Sequence, residues 1–294
     1  MPVSKTRIIS LLCLLAALLL SGCSAIRLAY NNAPQLSWWW LDGYVDFAGD
    51  QSGPARQAVD RWFDWHRPSQ LPAYALLLVK AQGQITQDIT AEEACRWNGR
   101  ARALLEPALQ RAAAEFAPLV TGLGEAQFKH LQERYRERNA EMRDEFLSPE
   151  PATRRRETMR RTVERAERLY GALEEPQLQI IRTGLASSPF NPELWLLERE
   201  RRQQEALRVL RQIQADNPSA EQSVAALRAL AFGSERSPDA AYRSYQLKLT
   251  EYNCALAARV HNSTSTAQRT AARTKLKGWE EDLRALVRQS NGQQ

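Results

Sequence analysis

The 294-residue chain is 44% hydrophobic and 25% charged, the balance of an ordinary globular protein and not of a disordered one. Its formal charge is +6, about +4 once Lys5 and Arg7 leave with the leader described next. That mild excess permits contact with anionic lipid or cell-wall polymer and gives no footprint for nucleic acid.

Residues 1–22 carry a positive start at Lys5 and Arg7, then an apolar run from Ile8 to Leu20 broken only by Ser10. About 13 apolar residues are too few to span a bilayer comfortably but suit the core of a signal peptide. The tetrad Leu20-Ser21-Gly22-Cys23 resembles the lipobox of bacterial lipoproteins. That resemblance implies diacylglyceryl transfer to the Cys23 sulfur, cleavage before Cys23 and acylation of the new amine. Several acyl chains on one residue make a lasting anchor, at about 0.8 kcal/mol per buried methylene. Ser24, where inner-membrane lipoproteins of enteric bacteria carry Asp, implies an outer-membrane address facing the periplasm. The expected organisation is a leader over 1–22, an anchor and short spacer over 23–37, and one helical periplasmic domain over 38–290.

Trp38-Trp39-Trp40 follows the spacer. Leu36, Trp39, Trp40, Gly43, Tyr44 and Phe47 share a helical face, so Trp39 and Trp40 are expected in the core, and Trp38 is the residue left to face the bilayer or a partner. His66 lies in Asp64-Trp65-His66-Arg67 with Asp60 one turn earlier. It reads either as a general base beside carboxylates or as the polar tip of a packed aromatic face, and the second asks for less. Cys95 and Cys254 are the cysteines left after the leader and the anchor. An even pair in an exported chain is expected to form a disulfide, closing a loop of about 160 residues; two buried thiols are the alternative.

The pattern Leu123-Gly-Glu-Ala-Gln127 recurs as Leu173-Glu-Glu-Pro-Gln177, and more loosely as Phe47-Ala-Gly-Asp-Gln51. Each copy suits a helix start, with an apolar residue just outside and a glutamine that can satisfy a free terminal amide; composition alone also produces such spacings. The repeats resemble the LTxxQ motif of small periplasmic stress chaperones, with Gly124 and Glu174 where that motif has threonine.

No alternating strand pattern of useful length is present. Helical stripes recur instead: Phe128, Leu131, Tyr135, Met142 and Phe146; then Tyr242, Tyr245, Leu249, Tyr252, Leu256 and Val260; then Leu276, Trp279, Leu283 and Leu286. His130 stands on a charged helix and reads as solvated. Arg154 to Arg168 carries seven arginines, either a solvated helix with pairs such as Glu157–Arg160, Glu157–Arg161 and Glu164–Arg168 or a surface for lipid phosphates. Pro151, Asn191-Pro192, Asn217-Pro218 and Ser237-Pro238 mark helix starts, and Gly122, Gly124, Gly171 and Gly184 mark breaks. His261 and Asn262 precede a capping box, Ser265-Thr266-Ala267-Gln268, and read as loop and cap residues. The fold class expected is all-α, an elongated bundle of roughly eight to ten helices.

Tyr30-Asn31-Asn32, Trp39-Trp40-Leu41-Asp42-Gly43-Tyr44, Trp65-His66-Arg67, Gln70-Leu71-Pro72-Ala73-Tyr74, Asn253-Cys254, His261-Asn262-Ser263-Thr264, Gln268-Arg269 and Gly278-Trp279-Glu280 resemble a family of uncharacterised proteobacterial lipoproteins. The resemblance implies export and a helical fold and brings no activity. HExxH, GxSxG, a Gly-rich phosphate loop, CxxC and metal-ligand spacing are all missing from the sequence, so no cofactor or metal is expected. The function expected is a non-enzymatic, membrane-anchored envelope protein that binds another envelope protein or an anionic component, with chaperone-like action as one form. Trp38, His66 and His261 are its candidate surface. The alternative is a periplasmic enzyme on cell wall or lipid, using His66 or His261.

Overall fold

A computed structural model describes residues 25–147, 150–233 and 237–291. Cys23, Ser24 and the leader lie outside them. The described residues form eleven helices and no strand: α1 (Ala25–Val45), α2 (Gly49–Gln84), α3 (Ala91–Ala103), α4 (Glu106–Val120), α5 (Glu125–Leu147), α6 (Pro151–Tyr170), α7 (Glu175–Ala186), α8 (Pro192–Asp216), α9 (Ala220–Phe232), α10 (Ala240–Asn262) and α11 (Thr266–Asn291). The all-α reading holds. The count passes ten because α3 and α4 are parted only by Leu104 and Leu105.

The helix starts follow side-chain chemistry. Asn191 Oδ1 accepts the amides of Glu193 and Leu194, at 3.0 and 3.1 Å, and Pro192 opens α8, where a missing N–H costs nothing. Thr90 and Glu93 form a reciprocal capping box at α3, as do Ser219 and Gln222 at α9. Asn217 ends α8 in the left-handed region at φ 42°, and Gly171 ends α6 at φ 78°. Gly184 is not a break. It lies inside α7, where a Cβ would stand 2.4 Å from Leu256 Cδ1, so its role is to let α7 and α10 approach closely. Start signals near Ser237-Pro238 are displaced by two residues: Asp239 Oδ1 caps α10 by accepting from Ala241 and Tyr242.

The spine is the antiparallel pair α2 and α11. Gln82 donates to Glu280 Oε2 at 2.8 Å, and Arg269 donates to the Thr86 carbonyl and to Asp88. At 1.5 Å per residue, the 36 residues of α2 make it about 54 Å long. α1 folds back along it, held by an Arg27–Asp282 ion pair at 3.1 Å and by Arg67 donating to Asn31. Residues expected as a spacer before position 38 are therefore helical from Ala25 and packed into the body.

Two cores sit at opposite ends of the spine. One gathers Val120, Leu123, Phe128 and Ile213 beneath Val45 and Phe47. The other gathers Ile181, Leu256 and Val260 with Met159, Leu173 and Tyr252. Cys95 of α3 and Cys254 of α10 form a disulfide with Cα atoms 5.2 Å apart, near the second core.

Candidate functional site

Each core is locked by a pair of glutamines. At the first, Gln51 and Gln127 occupy the third positions of α2 and α5. Gln51 Oε1 accepts the Ala48 amide at 3.0 Å, and Gln127 Oε1 accepts the Gly124 amide at 2.8 Å. Each Nε2 then crosses to the other hairpin: Gln51 donates to the Gly122 carbonyl at 2.5 Å, Gln127 to the Asp46 carbonyl at 3.2 Å and to Gln51 Oε1 at 2.7 Å. The second pair repeats this arrangement. Gln177 and Gln268 cap α7 and α11 through the amides of Glu174 and Ser265. They donate to the carbonyls of Ser263 and Ala172 and exchange bonds with each other at 2.7 and 3.0 Å. In all four cases the carbonyl reached lies two residues before the partner's N-cap. The three repeat copies and the capping box seen in the sequence are thus four parts of two clasps.

Beside the first clasp the helices do not close. An apolar cavity of about 510 Å³ lies between α1, α4, α5, α8 and α9, within the range of small-ligand sites. Trp40, Tyr44, Phe116, Phe128 and Tyr135 give it aromatic walls. A second hollow of about 340 Å³ shares Trp40, Leu41 and Phe116 with it and continues toward Trp62 and Phe63. The polar edge is formed by Arg199, Arg202 and Gln203. Asn139 holds two of these: it accepts from Arg199 Nε at 3.0 Å and exchanges amide bonds with Gln203 at 2.6 and 3.1 Å. Arg202 Nε is buried and has no hydrogen-bond partner, an open donor at the edge of an apolar space.

The tryptophan expectation is reversed. Trp38 is 5% exposed, whereas Trp39 and Trp40 are 61% and 63% exposed. The Trp38 ring stacks on Phe47 and lies 4.7 Å beneath the Arg56 guanidinium. A turn of 100° per residue then carries its two neighbours outward. Trp38 is a core residue, and the surface belongs to Trp39 and Trp40.

His66 and His261 are also buried and so form no surface. The Tyr74 hydroxyl donates to the Leu104 carbonyl at 3.3 Å and so accepts from His66 Nε2 at 3.2 Å. That leaves His66 Nδ1 to accept from the Tyr30 hydroxyl at 2.8 Å. Burial pushes His66 down to about 4 and Tyr30 up to about 12, and Trp62 stacks on the imidazole at 4.4 Å. His261 is held alike: Nε2 donates to the Gln87 carbonyl at 2.6 Å and Nδ1 accepts from Tyr170 at 2.8 Å. Burial lowers His261 and lifts Tyr170 to about 12. Both are neutral imidazoles with both nitrogens used, a structural arrangement. His130, expected to be solvated, is half-buried and donates to the Gly43 carbonyl. On α6, Glu157–Arg160 pairs as expected, but Arg161 reaches Glu145 of α5 and Glu164 pairs with Arg160.

The site residues missed from sequence are Phe116, Asn139, Arg199, Arg202 and Gln203. The stripe from Phe128 to Tyr135 was the signal available, and it showed a buried face without showing that the face is incompletely covered. Among the described residues, no group of His, Cys, Asp and Glu is placed to hold a metal ion, and no helix is long and apolar enough to cross a membrane.

Comparison with known proteins gives a match to one family model over residues 43–228, described as a family of unknown function (DUF6279). No curated protein and no solved structure matches the chain. The matched span runs from the end of α1 to the end of α9 and contains every cavity-lining residue except Trp40 and Leu41.

Proposed function

The chain belongs to that family, DUF6279, and from this premise we propose that it is a lipid-anchored binding protein of the bacterial envelope whose aromatic cavity holds an apolar segment of another envelope component. The observation that carries the reading is the open apolar space of about 510 Å³ beside the first clasp. A cavity with aromatic walls and a few fixed polar groups is suited to binding. No acid–base pair faces it, and the two histidines that a catalytic reading needs have no free nitrogen.

The tether in this proposal is lipid on Cys23, on the periplasmic face of the outer membrane. Cys23 stands two residues before α1, so an anchored body would lie close to the bilayer, with the exposed Leu28, Leu36 and Trp39 of α1 near its surface. Such rings favour the interface between lipid and water. Chaperone-like action is the form in which the bound segment belongs to an unfolded client.

Photo-crosslinking amino acids at Trp40 and Phe116 in cells are expected to give adducts that a probe at the remote, exposed Lys248 does not. Filling the space with Ala206→Trp should abolish those adducts while leaving the melting temperature within a few degrees. Absence of adducts at both groove positions would overturn the binding role. The tether is read separately: Cys23→Ala should abolish incorporation of labelled palmitate, and unchanged incorporation would refute it.

A further inference from the structure

A second cleft, of about 620 Å³, lies between the end of α5, α6 from Arg154 to Arg165, the end of α7, the start of α8 and the middle of α10. Its walls are apolar: Phe146, Met159, Leu185, Trp195 and Leu249. Its edge is basic, carrying Arg154, Arg155, Arg165 and Arg182. The carboxylate on its lining, Glu145, is already engaged by Arg161. A smaller hollow of about 520 Å³ shares Phe146, Arg154 and Phe190 with it and extends the same surface.

The arginines of α6 differ in their partners. Arg160 and Arg161 are committed to Glu157, Glu164 and Glu145. Arg155 and Arg165, both exposed, make no ion pair or hydrogen bond among the described residues, and both face the cleft. Neither has a glutamate three or four positions away on α6 with which to pair. Instead they stand beside an apolar hollow, about 15 Å apart along the axis. Guanidinium groups bind phosphate oxygens in a fork, and the adjoining walls can take hydrocarbon out of water.

We propose that this cleft binds a phosphate-bearing acyl lipid, with the phosphate held at its arginine edge and one acyl chain laid between Met159 and Leu249. Charge complementarity selects this occupant: the edge carries excess positive charge, and the floor carries none. The site is separate from the cavity beside the first clasp and stands whether or not that cavity binds anything.

The test uses the full chain with phosphatidylcholine vesicles that contain a photoactivatable phosphatidic acid, and in parallel a photoactivatable diacylglycerol lacking the phosphate. Peptides containing Met159 or Leu249 are expected to be labelled at least fivefold more by the phosphate-bearing probe. The double variant Arg155→Glu, Arg165→Glu should lower that labelling at least fivefold without moving the melting temperature, since neither side chain has a partner to lose. Millimolar inorganic phosphate should leave labelling intact. Equal labelling by the two probes would overturn the proposal, as would labelling unchanged in the double variant. Loss of labelling to inorganic phosphate would reduce the site to one for a free anion. Labelling confined to peptides of α1 and α4 would assign lipid to the other cavity and also overturn the proposal.

Discussion

At one end of the spine Gln51 and Gln127 exchange amide bonds half-exposed, beside an open cavity. At the other end Gln177 and Gln268 make the same bonds 2% and 7% exposed, beside the second core. The geometry is shared down to the carbonyl each amide reaches, so the difference lies in the surroundings. A hydrogen bond made in water is replaceable by water, whereas the same bond made out of solvent leaves a stranded group when its partner is lost. The buried clasp therefore fixes the fold, and the half-exposed one frames a space that the helices leave unfilled.

The largest expected effect tests that difference. Gln177→Ala removes the acceptor for the Glu174 amide, a donor to the Ser263 carbonyl and the two bonds exchanged with Gln268, at a cost of about 3–5 kcal/mol. Gln51→Ala should cost about 1 kcal/mol, because water reaches the groups it leaves. Denaturant unfolding measures both, and equal losses would break the comparison. Next in size is the disulfide, which closes a span of 159 residues near the second core. Cys95→Ser with Cys254→Ser should lower stability by about 2–5 kcal/mol, and two alkylatable thiols in protein purified without reductant would refute the bond itself. Gly184→Ala, which drives a methyl into Leu256, should cost about 1–3 kcal/mol, read by the same unfolding curve.

The smallest effect is one of pH. His66 is held near 4 when folded and returns to about 6.5 when unfolded. Between those values the unfolded chain binds the extra proton, so the stability His66 contributes is complete above about 6.5 and fades as pH falls toward 4. His261 acts in the same direction. Melting temperature should drop by a few degrees between pH 7 and pH 4.5, and His66→Gln should flatten that drop. An unchanged profile in the variant would show that the imidazole is not held neutral by its surroundings.

Local chemistry was legible in the sequence wherever a residue acts on its own helix. Gln127, Gln177 and Gln268 were readable as residues at helix starts because capping involves neighbours three positions away. The stripes through Phe128 and Leu256 were readable as buried because helical period places them on one face. Trp38 was not, since a face only becomes inside or outside when another helix covers it, and here Phe47 and Arg56 cover the face opposite to the one expected. Gly184 likewise looked like a break until Leu256 showed it to be a contact.

The sequence by itself determined that this is an all-α chain, where most helices begin and end, and that Cys95 and Cys254 can pair. These depend on backbone hydrogen bonds, caps and composition, all short in range or set by residue type. Only the tertiary structure decided that four separate glutamines form two clasps, that His66 and His261 are satisfied by distant tyrosines, and that one clasp is buried while the other stays half-exposed. Those outcomes depend on residues from 36 to 91 positions apart meeting in space, and no local pattern specifies which helix will lie against which.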